Sequence, residues 1–279
     1  MKKIYIILLS LIFISSSHGN EISAKVSEYI SNLIPGEGDT EVSIDLRENS
    51  KPDYSILAVR GIEKTEKGNL FTQFSLFNTE KNNEERIVGN LGIGQRFLSE
   101  DKTLMSGLNS FIDVDDAGNL RTSIGIEARS AVVEFAYNQY FGIANAKDEK
   151  VLDGYDLRLA SQIPRLHWAD IFINSYEWVG KDRDDIKGTK IGSELLLTPN
   201  INLELAYDDK DKKGLEDEWY AHIEFVHPPR SGSSLQDGFI NSSTWKEEKD
   251  MSGELLTKVK RNNKIMVEFK GLSTISRTD

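Results

Sequence analysis

The strongest constraint on this chain is a period of two. From about residue 41 to residue 226, apolar and polar side chains alternate in segment after segment. A strand sends successive side chains to opposite faces, so each segment has one apolar face and one wet face. Within 201–208, Ile201, Leu203, Leu205 and Tyr207 alternate with Asn202, Glu204, Ala206 and Asp208. Trp219, Ala221, Ile223 and Phe225 alternate with Tyr220, His222 and Glu224, and Ile87, Leu91, Ile93 and Phe97 oppose Asn90, Gly92, Gly94 and Arg96. Twelve such segments fall near 41–48, 54–62, 69–78, 85–98, 103–113, 120–128, 130–142, 154–163, 167–178, 189–198, 200–208 and 217–226. They are about as long as a tilted strand needs to be to cross a bilayer, ~9–11 residues or somewhat more. One phase per strand gathers the apolar residues on one side and the charges on the other. An Arg or Lys on a lipid face costs ~2–4 kcal/mol at mid-membrane, so that separation carries information.

The connections alternate in length. Those after even-numbered segments are short (63–68, 99–102, Arg129, 164–166 and Pro199), and those after odd ones are mostly longer and charged, as at 145–153, 180–188 and 209–216. Transmembrane barrels have short periplasmic turns and longer outer loops. The first strand then rises from the periplasm and the twelfth returns to it. The predicted fold is all-β: a transmembrane antiparallel β-barrel of about 12 strands over 39–228. Its lumen would be lined by Asp45, Arg60, Arg96, Asn109, Glu127, Glu134, Asp156, Arg158, Asp170, Glu194, Glu204, His222 and Glu224. A soluble periplasmic β-sandwich binding protein also alternates. Its strands are usually ~5–6 residues, and its polar face would be richer in Lys. Here that face carries Gly, Asn, Tyr and isolated carboxylates, which suits a narrow wet lumen.

The N-terminus reads separately. Met1-Lys2-Lys3, an apolar run over 4–14 and small residues over 15–19 have the layout of a signal peptide, assigned to 1–19. The run is too short for a transmembrane helix, which needs ~20 residues. A periplasmic segment, 20–38, would follow, with a short helix over 24–33. Val26, Tyr29, Ile30 and Leu33 share one helical face there, and Pro35-Gly36 stops it. The expected location is the bacterial outer membrane.

Little in the sequence points to catalysis. The chain has no Cys, which excludes a disulfide scaffold and Cys-ligated metal sites. Lys and Arg number 34 against 45 Asp and Glu, and a net charge of -11 argues against nucleic-acid binding. Asp113, Asp115, Asp116 and Gly118 suggest a calcium loop, but Ile124 stands where the bidentate Glu belongs. These acids read better as a solvated outer loop. Gly92 and Gly94 sit inside a strand and leave room for a bulky neighbour or a plug. Trp168, Trp178, Trp219, Phe97 and Tyr137 read as an interfacial girdle on the lipid face. The expectation is a non-enzyme with no cofactor, no metal and no catalytic residue.

Four stretches resemble one known family, the inverse autotransporter β-barrels of the intimin and invasin type. They are Asn90-Leu91-Gly92-Ile93-Gly94-Gln95-Arg96-Phe97, Gly107-Leu108-Asn109-Ser110-Phe111-Ile112-Asp113, Gly154-Tyr155-Asp156 with its Pro164 turn, and 259–270. Their order and spacing carry the resemblance over roughly 24–272. It implies a twelve-stranded outer-membrane barrel. A C-terminal helix and an extended linker would run through the pore towards an adhesive passenger. The segment 229–279 would then supply a periplasmic turn, a helix within 245–258, and a threading linker that includes Lys260, Arg261, Asn262, Asn263, Lys264, Glu268 and Lys270. The resemblance also implies secretion and cell adhesion. The implied partners are outer-membrane lipid, the barrel assembly machinery, periplasmic chaperones and a ligand on a host or neighbouring cell. Nine residues follow Lys270, so no immunoglobulin-like passenger is expected within this sequence.

Charge supports threading independently. The lumen set is mostly acidic, whereas Lys258, Lys260, Arg261, Lys264 and Lys270 stand against Glu268 alone. Opposite charges attract more strongly in a confined channel than at an open surface. If 264–270 were instead an ordinary strand, it would pair in the barrel wall. If the C-terminal segment lay outside the lumen, the barrel would be a passive pore or a receptor.

Overall fold

The computed structural model describes residues 34–269, except 49, 82–83, 212–215 and 247–249. Its strands are β1 (Thr40–Arg47), β2 (Asp53–Thr65), β3 (Gly68–Lys81), β4 (Glu84–Leu98), β5 (Met105–Asp115), β6 (Leu120–Arg129) and β7 (Val133–Ala144). They continue as β8 (Glu149–Val151), β9 (Asp153–Ile163), β10 (Leu166–Val179), β11 (Ile186–Thr198), β12 (Ile201–Lys210), β13 (Glu218–His227) and β14 (Val267–Phe269). Twelve of these close into one antiparallel barrel, in which β1 joins β2 on one side and β13 on the other. Each segment read from the alternation corresponds to one wall strand. The short strands β8 and β14 stand apart from the wall and pair only with each other.

Closure follows from the solvent. In hydrocarbon an unpaired backbone group costs several kcal/mol, and a closed ring leaves no edge. At ~3.4 Å per residue and a tilt of ~40°, ten residues rise about 25 Å, enough to cross the apolar band. Register carries each face around the ring. Ile93 lies opposite Ser110, which lies opposite Ile124. Leu91 is 61% exposed, whereas Arg96 on the same strand is 0% exposed. With Leu108, Ile112, Ile171 and Ile191, Leu91 belongs to an exposed apolar belt. Charges sit inside and apolar side chains outside, the reverse of a soluble domain. That arrangement overturns the β-sandwich alternative.

Thr40 pairs with His227, so the start of β1 and the end of β13 share a rim. The short turns at 66–67, 99–104, 130–132, 164–165 and 199–200 gather there. We call this rim periplasmic, because short turns mark that side.

The signal peptide and the helix over 24–33 lie outside the described residues. Among the described residues the structure corrects several expectations. Within 245–258 the described residues form a single 3₁₀ turn, Met251–Glu254, capped by Asp250, whose carboxylate accepts from the Ser252 amide. Arg129 belongs to β6, not to a turn. Arg60 faces outward, opposite Thr72, which itself pairs with Ile93. Its guanidinium donates to the carbonyls of Ile34 at 2.6 Å and Asp39 at 2.7 Å, and to Thr40 Oγ1 at 2.6 Å. A long side chain at the rim can satisfy itself on backbone oxygens, so an outward Arg costs little there.

Candidate functional site

The lumen holds the chain's own C-terminal segment. From β13 the backbone passes beneath the periplasmic rim. Asn241 donates its N–H to the Arg165 carbonyl and Trp168 Nε1 donates to the Phe239 carbonyl. Met251 donates to the Lys102 carbonyl in the β4–β5 turn. The segment then enters the barrel at Leu255, crosses it, and emerges at the opposite rim, where Val267, Glu268 and Phe269 pair with β8. Val267–Phe269 therefore adds no strand to the wall, and residues 255–266 run inside the lumen, not outside it. The freely open pore required the opposite.

Side chains alternate along the linker as they do in a strand. Val259 packs on Leu57, Val59, Phe71 and Phe111. Ile265 and Val267 pack on Phe77, Val88 and Val151, while Met266 turns the other way onto Tyr140, Leu152, Trp178 and Ile186. Each such apolar anchor contributes ~1.5–3 kcal/mol relative to leaving it in water.

The polar contacts come in two kinds. Wall arginines hold the linker backbone. Arg96 Nη1 donates to the carbonyls of Thr257 at 2.6 Å and Leu255 at 2.9 Å. Arg129 donates to Lys258 O at 2.8 Å, and Arg121 to Asn262 O at 2.8 Å and Lys264 O at 2.7 Å. Wall carboxylates hold the linker cations. Lys258 reaches Glu224 at 2.7 Å and Glu41 at 3.0 Å, Arg261 reaches Asp113 at 2.7 Å, and Lys264 reaches Asp53 at 2.7 Å. Lys260 pairs with Glu194. Neutral groups complete the grip. Gln73 accepts from the Val259 amide and Asn138 donates to the Lys260 carbonyl. Asn90 donates to the Asn263 carbonyl, and the Asn262 amide donates to Tyr140 Oη and Asp156.

The remaining lumen residues predicted from sequence form a supporting network. Arg96 pairs with Glu127 at 2.8 Å, and Glu134 receives Arg129 at 3.2 Å and Arg158 at 3.6 Å. Arg158 also reaches Glu194 at 2.8 Å and Glu204 at 3.7 Å, while His222 Nδ1 lies 2.5 Å from Asp45. Asp170 stands lower, 3.9 Å from Lys246. Asn109 is buried beside Gly125, whose missing Cβ leaves it room. Glu268 lies beyond the lumen, accepting from the amides of Lys181 and Asp182 at the outer mouth. Lys270 lies outside the described residues.

Sequence reasoning missed Glu41, Asp53, Gln73, Asp113, Arg121 and Arg129. Phase could have found four of them, because Glu41 shares the inward phase of Asp45, Asp113 that of Asn109, and Arg121 and Arg129 that of Glu127. It also misplaced two features. Trp178 is 1% exposed and lies inside, its ring 5.1 Å from that of Tyr140, and Trp168 is also buried, its ring covered by Phe239 at 5.5 Å. Asp113 and Asp115 are buried rather than solvated, and Asp115 pairs with Lys81 at 3.4 Å and Arg86 at 3.2 Å. Near the periplasmic rim, burial raises the Asp39 carboxyl above its usual range against the pull of Arg230. Hydrogen bonds from Ser99 and Thr103 lower Asp101.

A closed barrel with an apolar belt and its own chain through the lumen defines a threaded transmembrane β-barrel. The chain belongs to the inverse autotransporter family: the profile of that family's β-domain matches residues 9–263. It is accordingly a bacterial outer-membrane β-barrel. It is similar to the intimins of Escherichia coli O111:H- and O127:H6, 26% identical over 212 residues in each case, or 69% of this chain. It spans 22% of the length of those intimins. A solved chain from a structure described as "Unveiling the Mechanism Behind the in-meso Crystallization of Membrane Proteins" shares the fold. Its TM-score is 0.63 at 21% identity, covering 83% of this chain and 100% of that one.

The latch at the outer mouth gives a first prediction. Glu268→Ala removes the acceptor for two amides, and Arg183 holds the same end through the Phe269 carbonyl at 3.2 Å. The expected result is faster protease cleavage near 267–269 with the heat-modifiable gel mobility of the barrel unchanged. An unaltered cleavage rate would show that β8 and Arg183 secure the end without Glu268.

Proposed function

We propose that this barrel is an anchor and translocator for its own C-terminal segment, which it holds across the outer membrane and exports to the cell surface. The single observation that carries this reading is the linker, which crosses the whole lumen with four cations, Lys258, Lys260, Arg261 and Lys264, each set on a wall carboxylate. A segment seated so specifically is cargo or tether. Cell-surface adhesion is the context supplied by the family resemblance. The partners follow from it: outer-membrane lipid, the barrel assembly machinery, periplasmic chaperones, and a ligand on a host or neighbouring cell. The chemistry proposed is binding and export, without catalysis.

The test is topological. An epitope tag placed after Asp279 is expected to be reached by antibody and removed by protease on intact cells. A protected tag, reached only after the outer membrane is opened, would send the tail to the periplasm and sink the proposal.

A further inference from the structure

The linker does not fill the barrel evenly. Its backbone leans on one side, held by Arg96, Arg121 and Arg129 and by the Phe71 and Phe111 rings under Val259. Two cavities lie beside it, the outer one chiefly along β9 to β13 and β1 and the periplasmic one from β6 and β7 across β9 to β13. The one towards the outer rim has a volume of about 290 Å³ and is lined by Arg47, Lys190, Asp208 and Glu218 among others. The one towards the periplasmic rim has about 220 Å³ and is lined by Asp170, Asn202, Arg230 and Lys246 among others. Each has room and polar lining for several water molecules. Lys258 and Lys260 line both.

We propose that the threaded barrel keeps a second route through the membrane, an ion pathway beside the linker, closed at its waist by the ion pairs of Lys258 and Lys260. This rests on the threaded arrangement of the proposed function. The barrier consists of side chains. Lys258 bridges Glu224 and Glu41, Lys260 meets Glu194, and Arg158 spans from Glu194 to Glu204. When these two lysines are removed, Arg261 and Lys264 keep their wall carboxylates and Arg96, Arg121 and Arg129 keep their hold on the linker backbone. Loss of the two lysines leaves four carboxylates against two arginines, with Glu194 and Glu204 on Arg158 and Glu41 and Glu224 on Arg230. A ring of acids on a water-filled constriction selects cations. The opened route would therefore pass potassium in preference to chloride.

Planar-bilayer recordings in potassium chloride test this with three proteins: the full chain, the full chain carrying Lys258→Ala and Lys260→Ala, and a deletion of 246–279. The double variant is expected to carry currents several-fold above the unmodified chain, with a reversal potential on the cation side in a salt gradient. Unchanged currents, or currents without cation preference, overturn the gate. If deletion raises the current and the double variant does not, threading stands and the gate falls. If neither raises it, the linker does not fill the lumen and both proposals fall. The chain has no cysteine, which permits a second test should the double variant fail to fold. In Lys260→Cys, a thiol reagent bearing an ammonium group is expected to lower the current and one bearing a sulfonate to leave it raised. Equal effects of the two reagents would overturn the proposal.

Discussion

Asp113→Ala is expected to destabilise the threaded barrel by about 3–5 kcal/mol, because it strands buried guanidinium groups without their counter-charge. The Asp113 side chain is 0% exposed and lies 2.8 Å from Arg121 and 2.7 Å from Arg261, both also 0% exposed. Asn90 donates to it at 2.7 Å. One carboxylate thus joins β4, β5 and β6 to the linker. Without it, Arg121 keeps its two linker carbonyls, while Arg261 keeps only Ser123 and Asn263. The loss therefore falls mainly on the seat of the linker. Urea titration of the heat-modifiable fraction in micelles measures it. Asp113→Ala with Arg261→Ala should cost less than the sum of the single changes, by ~0.5–3 kcal/mol, because the second change removes the charge that the first strands. Strict additivity would show that the two residues do not act as a pair.

The wall of this barrel was legible in the sequence because lipid on one side and water on the other impose a period of two on every strand. Phase then located most of the lumen, including Arg96, Glu127, Arg158, Glu194 and Glu224. The remainder was hidden by the linker itself. A plug with apolar side chains brings apolar wall residues into the lumen, so Phe71, Phe111, Met105 and Trp178 face inward although the alternation rule expects polar groups there. Trp178 accordingly reads as part of a lipid girdle when it is the lid over Tyr140 and Met266. Asp113 reads as a loop acid because its partner, Arg261, lies 148 residues later, and nothing local announces the pair. Arg60 fails for the opposite reason: near a rim the outward face tolerates charge, so phase loses its force. Opposite sign of charge, acidic on the wall and basic on the linker, was the one long-range signal that could be read without coordinates.

Gly92→Val is expected to destabilise the barrel strongly, and glycine's use here is spatial. A Cβ at Gly92 would stand 2.3 Å from the Phe111 ring, and one at Gly94 would stand 2.4 Å from the Phe71 ring. Each ring in turn lies under an arginine that holds the linker: Arg261 is 4.1 Å from the centroid of Phe111, and Arg96 is 4.4 Å from that of Phe71. The Gly92–Phe111–Arg261 stack therefore runs from the wall to the linker, and the Gly94–Phe71–Arg96 stack ends on a wall arginine that grips the linker backbone. Overpacking alone costs about 1–3 kcal/mol, and displacing the ring from Arg261 adds about 1–2 kcal/mol for a desolvated cation–π contact. The arginine would also be carried away from Asp113. Gly89→Ala on the same strand is the control, because its Cβ would meet only Val114 Cγ1 at 3.9 Å, and it should stay within ~0.5 kcal/mol of the unmodified barrel. Gly92→Ala combined with Phe111→Leu should recover part of the loss seen for Gly92→Ala alone, since the smaller side chain vacates the space the methyl needs. If the two alanine variants unfold at the same urea concentration, or the second change recovers nothing, steric room under Phe111 is not why glycine stands at position 92.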